Sequence, residues 1–134
     1  MHGARDRDHR LRHHRGWLAV GWGLVAFVVW ASLTPQPPPT PDVHLGDKLA
    51  HLLAYGVLMG WFAQIYPART ARQTLAAAFV LMGVVLEFLQ GLLGQRMFEI
   101  ADMAANTAGV ALAWWITRGR AGRILHWVED RFGG

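Results

Sequence analysis

The sequence predicts an all-α protein, a four-helix transmembrane bundle with a short amphipathic C-terminal helix, on three observations. The chain is 53% apolar, carries seven Trp and has only 16% charged residues, a profile of membrane proteins. Its apolar residues fall into blocks, and its basic residues gather at the ends of those blocks. The ionisable residues that interrupt the blocks recur at helical spacing. Cysteine is absent, which removes disulfides, thiolate metal sites, Cys nucleophiles and palmitoylation. The net charge of +4 reads as a topology signal and not as a nucleic-acid footprint, because no basic groove pattern accompanies it.

Residues 1–15 hold Arg5, Arg7, Arg10, Arg12 and Arg15 directly before an apolar block, which marks a cytoplasmic tail. His9, His13 and His14 lack carboxylate or thiolate partners at ligand spacing and read as solvated. Trp17 to Leu33 is uncharged and spans roughly 25 Å at the helical rise. Its basic start and Ala31-Ser32 also mimic a cleaved signal peptide, but the run is long for one, so a retained anchor is expected. Pro35, Pro37, Pro38, Pro39 and Pro41 then dictate a stiff outer loop, with His44 solvated within it.

The second segment, Asp47 to Ile65, carries Asp47, His51 and Tyr55 at i, i+4 and i+8, one polar stripe about 80° wide that needs protein against it. Lys48 is placed to snorkel to headgroups. Tyr66-Pro67 ends this helix, and Arg69 and Arg72 mark the next loop as cytoplasmic. The third block, near Thr74 to Leu93, sets Gly83, Glu87, Gln90, Gly91 and Gly94 on one small, polar face suited to helix packing. The fourth, Ile100 to about Thr117, puts Glu99, Asp102, Asn106 and Gly109 along one side. Beyond it, Arg118, Arg120 and Arg123 precede Ile124, Leu125, Trp127, Val128 and Phe132, the pattern of a helix lying in the membrane interface, with His126 at headgroup level. The expected organisation is a membrane domain over residues 16–117 between basic cytoplasmic tails 1–15 and 118–134.

Of the thirteen Lys and Arg, all but Lys48 and Arg96 fall on one side of such a bundle, which sets both termini in the cytoplasm. Alternating helix directions then carry every polar motif to the outer half. His51 is expected roughly 6 Å, and Glu87 and Asn106 about 9 Å, along their helices from the outer ends. Ionisable residues inside a membrane domain mark functional sites by default.

Asp47-Lys48-Leu49-Ala50-His51 with Tyr55, then Glu87-Phe88-Leu89-Gln90, Arg96, and Asp102 with Asn106 and Gly109, together resemble the VanZ-like family over about residues 42 to 117. The resemblance implies a small multi-pass protein of the bacterial cytoplasmic membrane, in a family whose founding member is associated with teicoplanin resistance. Together with Glu99, which shares a helix face with Asp102 and Asn106, these polar residues make a candidate site of Asp47, Lys48, His51, Tyr55, Glu87, Gln90, Arg96, Glu99, Asp102 and Asn106.

Three readings of that site stand. The polar groups form a network that only fixes helix packing; or they bind a lipid headgroup, a lipid-linked sugar or a glycopeptide at the outer leaflet, with Arg96 and Lys48 meeting anionic groups. The third is a membrane-embedded hydrolase or transferase, in which His51 works with Asp47 or Glu87, or in which His51, Glu87 and Asp102 hold a divalent ion. No H-E-x-x-H, G-x-S-x-G or Gly-rich phosphate motif supports the third. No cofactor and no nucleic acid is expected; membrane lipids are the expected partners, and the sequence leaves the oligomeric state open.

Overall fold

The computed structural model describes residues 11–34, 45–94 and 99–133. The chain forms α1 (His14–Leu33), α2 (Leu45–Ile65), α3 (Arg69–Leu92), α4 (Ile100–Ile116), a 3-10 turn at Arg120–Arg123 and α5 (Ile124–Phe132). It is all-α, with no strand among the described residues. The proline-rich stretch, His44, the first ten residues and Arg96 lie outside the described residues. α3 begins five residues before the apolar block at Thr74. Helix geometry starts as soon as Pro67 is passed, whereas hydropathy marks only the part of the helix that is apolar. α1 and α3 are each long and apolar enough to cross a membrane. α4 is shorter, with 17 residues, and α2 carries Asp47, Lys48 and His51 in its first two turns.

Contacts at the two ends fix the helix directions. The N-terminal ends of α2 and α4 meet through Lys48 and Asp102, and the C-terminal ends of α1 and α3 meet where Gln90 Nε2 donates to Ser32 O at 2.6 Å. At the opposite end the Trp61 indole near the end of α2 donates to Trp17 O near the start of α1 at 2.9 Å. There too, Arg72 of α3 reaches Trp114 O at the end of α4. α1 and α3 therefore run one way, α2 and α4 the other.

α2 is the central helix. Its Tyr55, Leu58, Met59 and Phe62 form one core with Val28, Phe79 and Val110 from the other three long helices. It packs most closely on α4, because small residues face each other along the crossing. A Cβ on Gly109 would lie 2.2 Å from Leu52 O, and one on Gly56 would lie 3.5 Å from Gly109 O. Gly56 and Gly60, one helical turn apart, are a small-xxx-small pair that lets the backbones approach. The exterior of the bundle is broadly apolar, and four polar side chains are buried beside the apolar core. Glu87, Gln90, Asp102 and Asn106 are at most 3% exposed, while Leu81, Leu92, Trp22 and Trp115 are 61–81% exposed.

The end opposite Asp102 is closed by polar brackets between distant segments. Leu11, Ile65 and Leu125 form a small buried cluster there, which docks Leu11 while the Arg12 and His13 side chains stay exposed. Glu129, 5% exposed, accepts the backbone N–H groups of Arg12 and His13 at 2.8 Å and the Trp17 indole N–H at 2.7 Å. Its carboxylate thus caps the start of α1, where the helix dipole also favours negative charge. Gln64 Oε1 does the same for α5, accepting Leu125 N–H at 2.8 Å. Arg72 donates to the Trp114 carbonyl at the end of α4 and to Thr117 Oγ1 at 2.9 Å.

Burial pushes the Glu129 carboxyl up, but the His13 N–H, the Trp17 indole, the Arg12 N–H and the nearby His13 ring outweigh it and hold its pKa at about 2 against an ordinary 4.5. A carboxyl depressed on folding stabilises fully above its unfolded pKa, and that contribution is lost as pH falls through the folded value. Docking of α5 on the start of α1 is therefore expected to hold at pH 5 and above and to fail progressively between about pH 4.5 and 2. The Trp17 indole proton resonance, followed by pH titration in detergent micelles, reports it. Glu129→Gln is expected to remove the transition, and a transition that persists in that variant would assign it to another group.

Candidate functional site

The first turns of α2 and α4 lie side by side, and the spacing of their polar residues decides what meets. Asp47, Lys48 and His51 occupy the face of α2 turned to α4, and Glu99, Asp102 and Asn106 the face of α4 turned to α2. Lys48 Nζ forms ion pairs with both Glu99 and Asp102. The expectation that Lys48 snorkels away to headgroups is thus replaced by a bridge to two carboxylates of the α4 N-terminus, because opposite charges brought together by the helix crossing pair directly. His51 Nδ1 lies 2.8 Å from Asn106 Oδ1. With the amide in this orientation Nδ1 carries the hydrogen, which directs Nε2 towards the carboxylates.

His51 Nε2 lies 3.9 Å from Asp47 Oδ1 and 3.8 Å from Asp102 Oδ2, beyond direct hydrogen bonding. One ligand atom each from Asp47, His51 and Asp102 lies within 4.8 Å of the others, a spacing that presents three ligand atoms to one point. Asp102 and Asn106 are buried, whereas the Glu99 side chain is half exposed, so the cluster opens towards the end of the bundle.

Two further expected residues adjoin the cluster. Tyr55 is fully buried in the next layer, its ring and Asn106 packed against Gly83 of α3 so tightly that a Cβ there would meet both within 3.3 Å. Glu87 Oε1 accepts the Glu99 N–H at 2.9 Å, capping α4 from a neighbouring helix. Glu87 therefore supports the position of α4, and Asp47 takes the place beside His51 and Asp102 expected for Glu87 in a metal-binding trio. Gln90 points elsewhere: it holds Ser32 of α1 and does not converge with the α2–α4 groups. Arg96 lies outside the described residues. The sequence reading missed Gly56 and Gly60, whose four-residue spacing was the available signal for the crossing that aligns the cluster.

An all-α fold with an apolar exterior and an ionisable cluster that opens at one end of its long helices defines a class of small helical bundle. The chain belongs to the VanZ/LLP1 family, whose model matches residues 7–125, a longer stretch than the motifs alone suggest. Family membership and the two long apolar helices together point to a membrane protein. No curated protein and no solved structure matches the chain.

The Lys48–Asp102 pair sets an energetic expectation. Lys48→Met leaves the buried Asp102 carboxylate without its counter-ion and is expected to destabilise the fold by about 3–5 kcal/mol. The Lys48→Met/Asp102→Asn double variant is expected to recover much of that loss. Thermal unfolding in detergent of the two single variants and the double variant measures the coupling; strictly additive effects would show that the two side chains do not interact.

Proposed function

We propose that the chain is a four-helix membrane protein of the bacterial cytoplasmic membrane, with both termini cytoplasmic, that binds the polar part of an envelope component or glycopeptide at the outer leaflet. The transmembrane reading of all four long helices is supported by the broadly apolar exterior, with Leu81, Leu92, Trp22 and Trp115 outside while Glu87, Gln90, Asp102 and Asn106 are buried, since an apolar exterior of this extent suits lipid and not water. The side of each end follows from the Lys and Arg distribution, which leaves the α2–α4 cluster outside. Residues 16–117 then form the membrane domain, between the tails 1–15 and 118–134.

The observation that carries the binding reading is the convergence of Asp47, His51, Glu99, Asp102 and Asn106 at one end of the bundle, open beside Glu99. Packing alone does not call for so many polar groups, since polar contacts between membrane helices average about 0.6 kcal/mol each. Ionised carboxylates only accept hydrogen bonds, and Lys48 is already engaged by two of them. The cluster is therefore matched to a ligand rich in donors, such as sugar hydroxyls or amino groups, and less to an anion. Lipid-linked sugars and glycopeptides carry such groups, and the founding member's association with teicoplanin resistance directs the test to the latter.

A strain lacking the protein is expected to show altered glycopeptide susceptibility or altered envelope lipids. Complementation with His51→Ala or Asp102→Asn is expected to fail at normal membrane abundance. Full complementation by both variants would remove the cluster from the function.

A second reading is favoured by the Asp47–His51–Asp102 geometry: a divalent cation held by two carboxylates and an imidazole whose other nitrogen is fixed by Asn106. Metal analysis of the purified protein checks it. About one equivalent of zinc or manganese, lost in His51→Ala, is the result this reading expects; metal content near zero in both proteins leaves the metal-free binding site.

A further inference from the structure

We propose that the 3-10 turn after α4 holds the phosphate of an anionic phospholipid, at the end of the bundle opposite the α2–α4 cluster. The inference rests on the membrane reading above, which makes this end cytoplasmic, but it concerns residues that the outer site does not use. A cavity of about 1110 Å³ lies between Pro67 and the C-terminal segment and is lined by Arg118, Arg120, Arg123, His126, Trp127 and Asp130 among others. No carboxylate among the described residues pairs with any of the three arginines, although Asp130 lies in the same wall. Arg118 is positioned by stacking over the Trp114 ring at 4.0 Å.

The backbone presents the other two together. Arg120 and Arg123 stand at i and i+3 of a 3-10 helix, where side chains three apart project from the same side. The turn is held against the end of α4: Gly122 lies so close to Thr117 O that a Cβ would approach it to 2.3 Å. Two guanidinium forks on one side of an anchored turn suit an anion with several acceptor oxygens, and each fork binds a phosphate bidentately.

The surroundings select a lipid as the source of that phosphate. α5 buries Leu125 and Glu129 and leaves Ile124, Trp127 and Phe132 at least half exposed, Ile124 and Trp127 in the same cavity wall as the arginines, and Trp115 and Ile116 at the end of α4 are exposed as well. Apolar and aromatic side chains adjoining arginines at a membrane interface match acyl chains adjoining a charged headgroup. A free phosphate would use the arginines and leave that apolar surface uncovered.

The test uses the full chain purified from membranes and reconstituted into nanodiscs of equal phosphatidylglycerol and phosphatidylcholine, with retained lipid counted by native mass spectrometry after a detergent wash. The wild type is expected to retain phosphatidylglycerol over phosphatidylcholine by about tenfold, and Arg120→Gln/Arg123→Gln to reduce the preference to about twofold. Arg131→Gln, outside the cavity lining, is expected to keep it. Equal retention of the two lipids by the wild type overturns the proposal, as does an undiminished preference in the double variant. Inorganic phosphate that displaces the lipid at comparable concentration also overturns it, by showing a phosphate site with no lipid selectivity. A chain recovered from the soluble fraction overturns it together with the membrane reading, whereas an embedded chain without preference overturns this proposal alone.

Discussion

Where α4 passes α2, the Gly109 backbone comes within van der Waals contact of the Leu52 carbonyl, with no room for even a methyl group between them. Dispersion contacts at such a crossing are short-ranged and numerous, and they reward parallel alignment of two helices over several turns. That alignment brings the first turn of α2 opposite the first turn of α4, so Lys48 finds Asp102 and His51 finds Asn106. Without the glycines the helices would stand further apart, and the carboxylates would meet solvent or lipid in place of the ammonium and the imidazole.

The buried polar groups and the close crossing stabilise each other. Burying Asp102 or Glu87 in an apolar bundle is costly unless a partner is already in place. Each buried charge here has one: Lys48 for Asp102, the Glu99 N–H at the start of α4 for Glu87. The opposite end follows the same logic with Glu129, Gln64 and Arg72, each meeting backbone groups at a helix terminus that would otherwise lack partners. Both ends of the bundle are thus fastened by side chains reaching across to helix termini, and the middle by small residues and aromatic packing.

Much of this was legible in the sequence, for identifiable reasons. The four long helices followed from blocks of apolar residues, and the faces of α2 and α4 from polar residues recurring every three or four positions; Asp47, His51, Asp102 and Asn106 do meet. What hydropathy could not show was where the helices begin, since the first turn of α3 is polar and still helical. Partner choice was also hidden, because several polar residues competed at similar depths. Lys48 was assigned to headgroups and is held by Glu99 and Asp102; Gln90 shares the face of Glu87 on α3, yet reaches Ser32 on α1. The capping role of Glu129 depends on a contact between the two ends of the chain, which no local pattern encodes. Gly56 and Gly60 were readable and were passed over beside more conspicuous charged residues.

The central claim is that α2 and α4 run side by side in the register that assembles the cluster. The chain has no cysteine, and a Cβ at Gly60 would lie 3.9 Å from that of Ala113, inside the disulfide range of roughly 3.5–4.5 Å. Oxidation of the Gly60→Cys/Ala113→Cys variant in native membranes is therefore the most direct measurement. Rapid closure of a disulfide within one chain is the predicted result, and two thiols that stay reduced under an oxidant in excess would contradict the register and the site built on it.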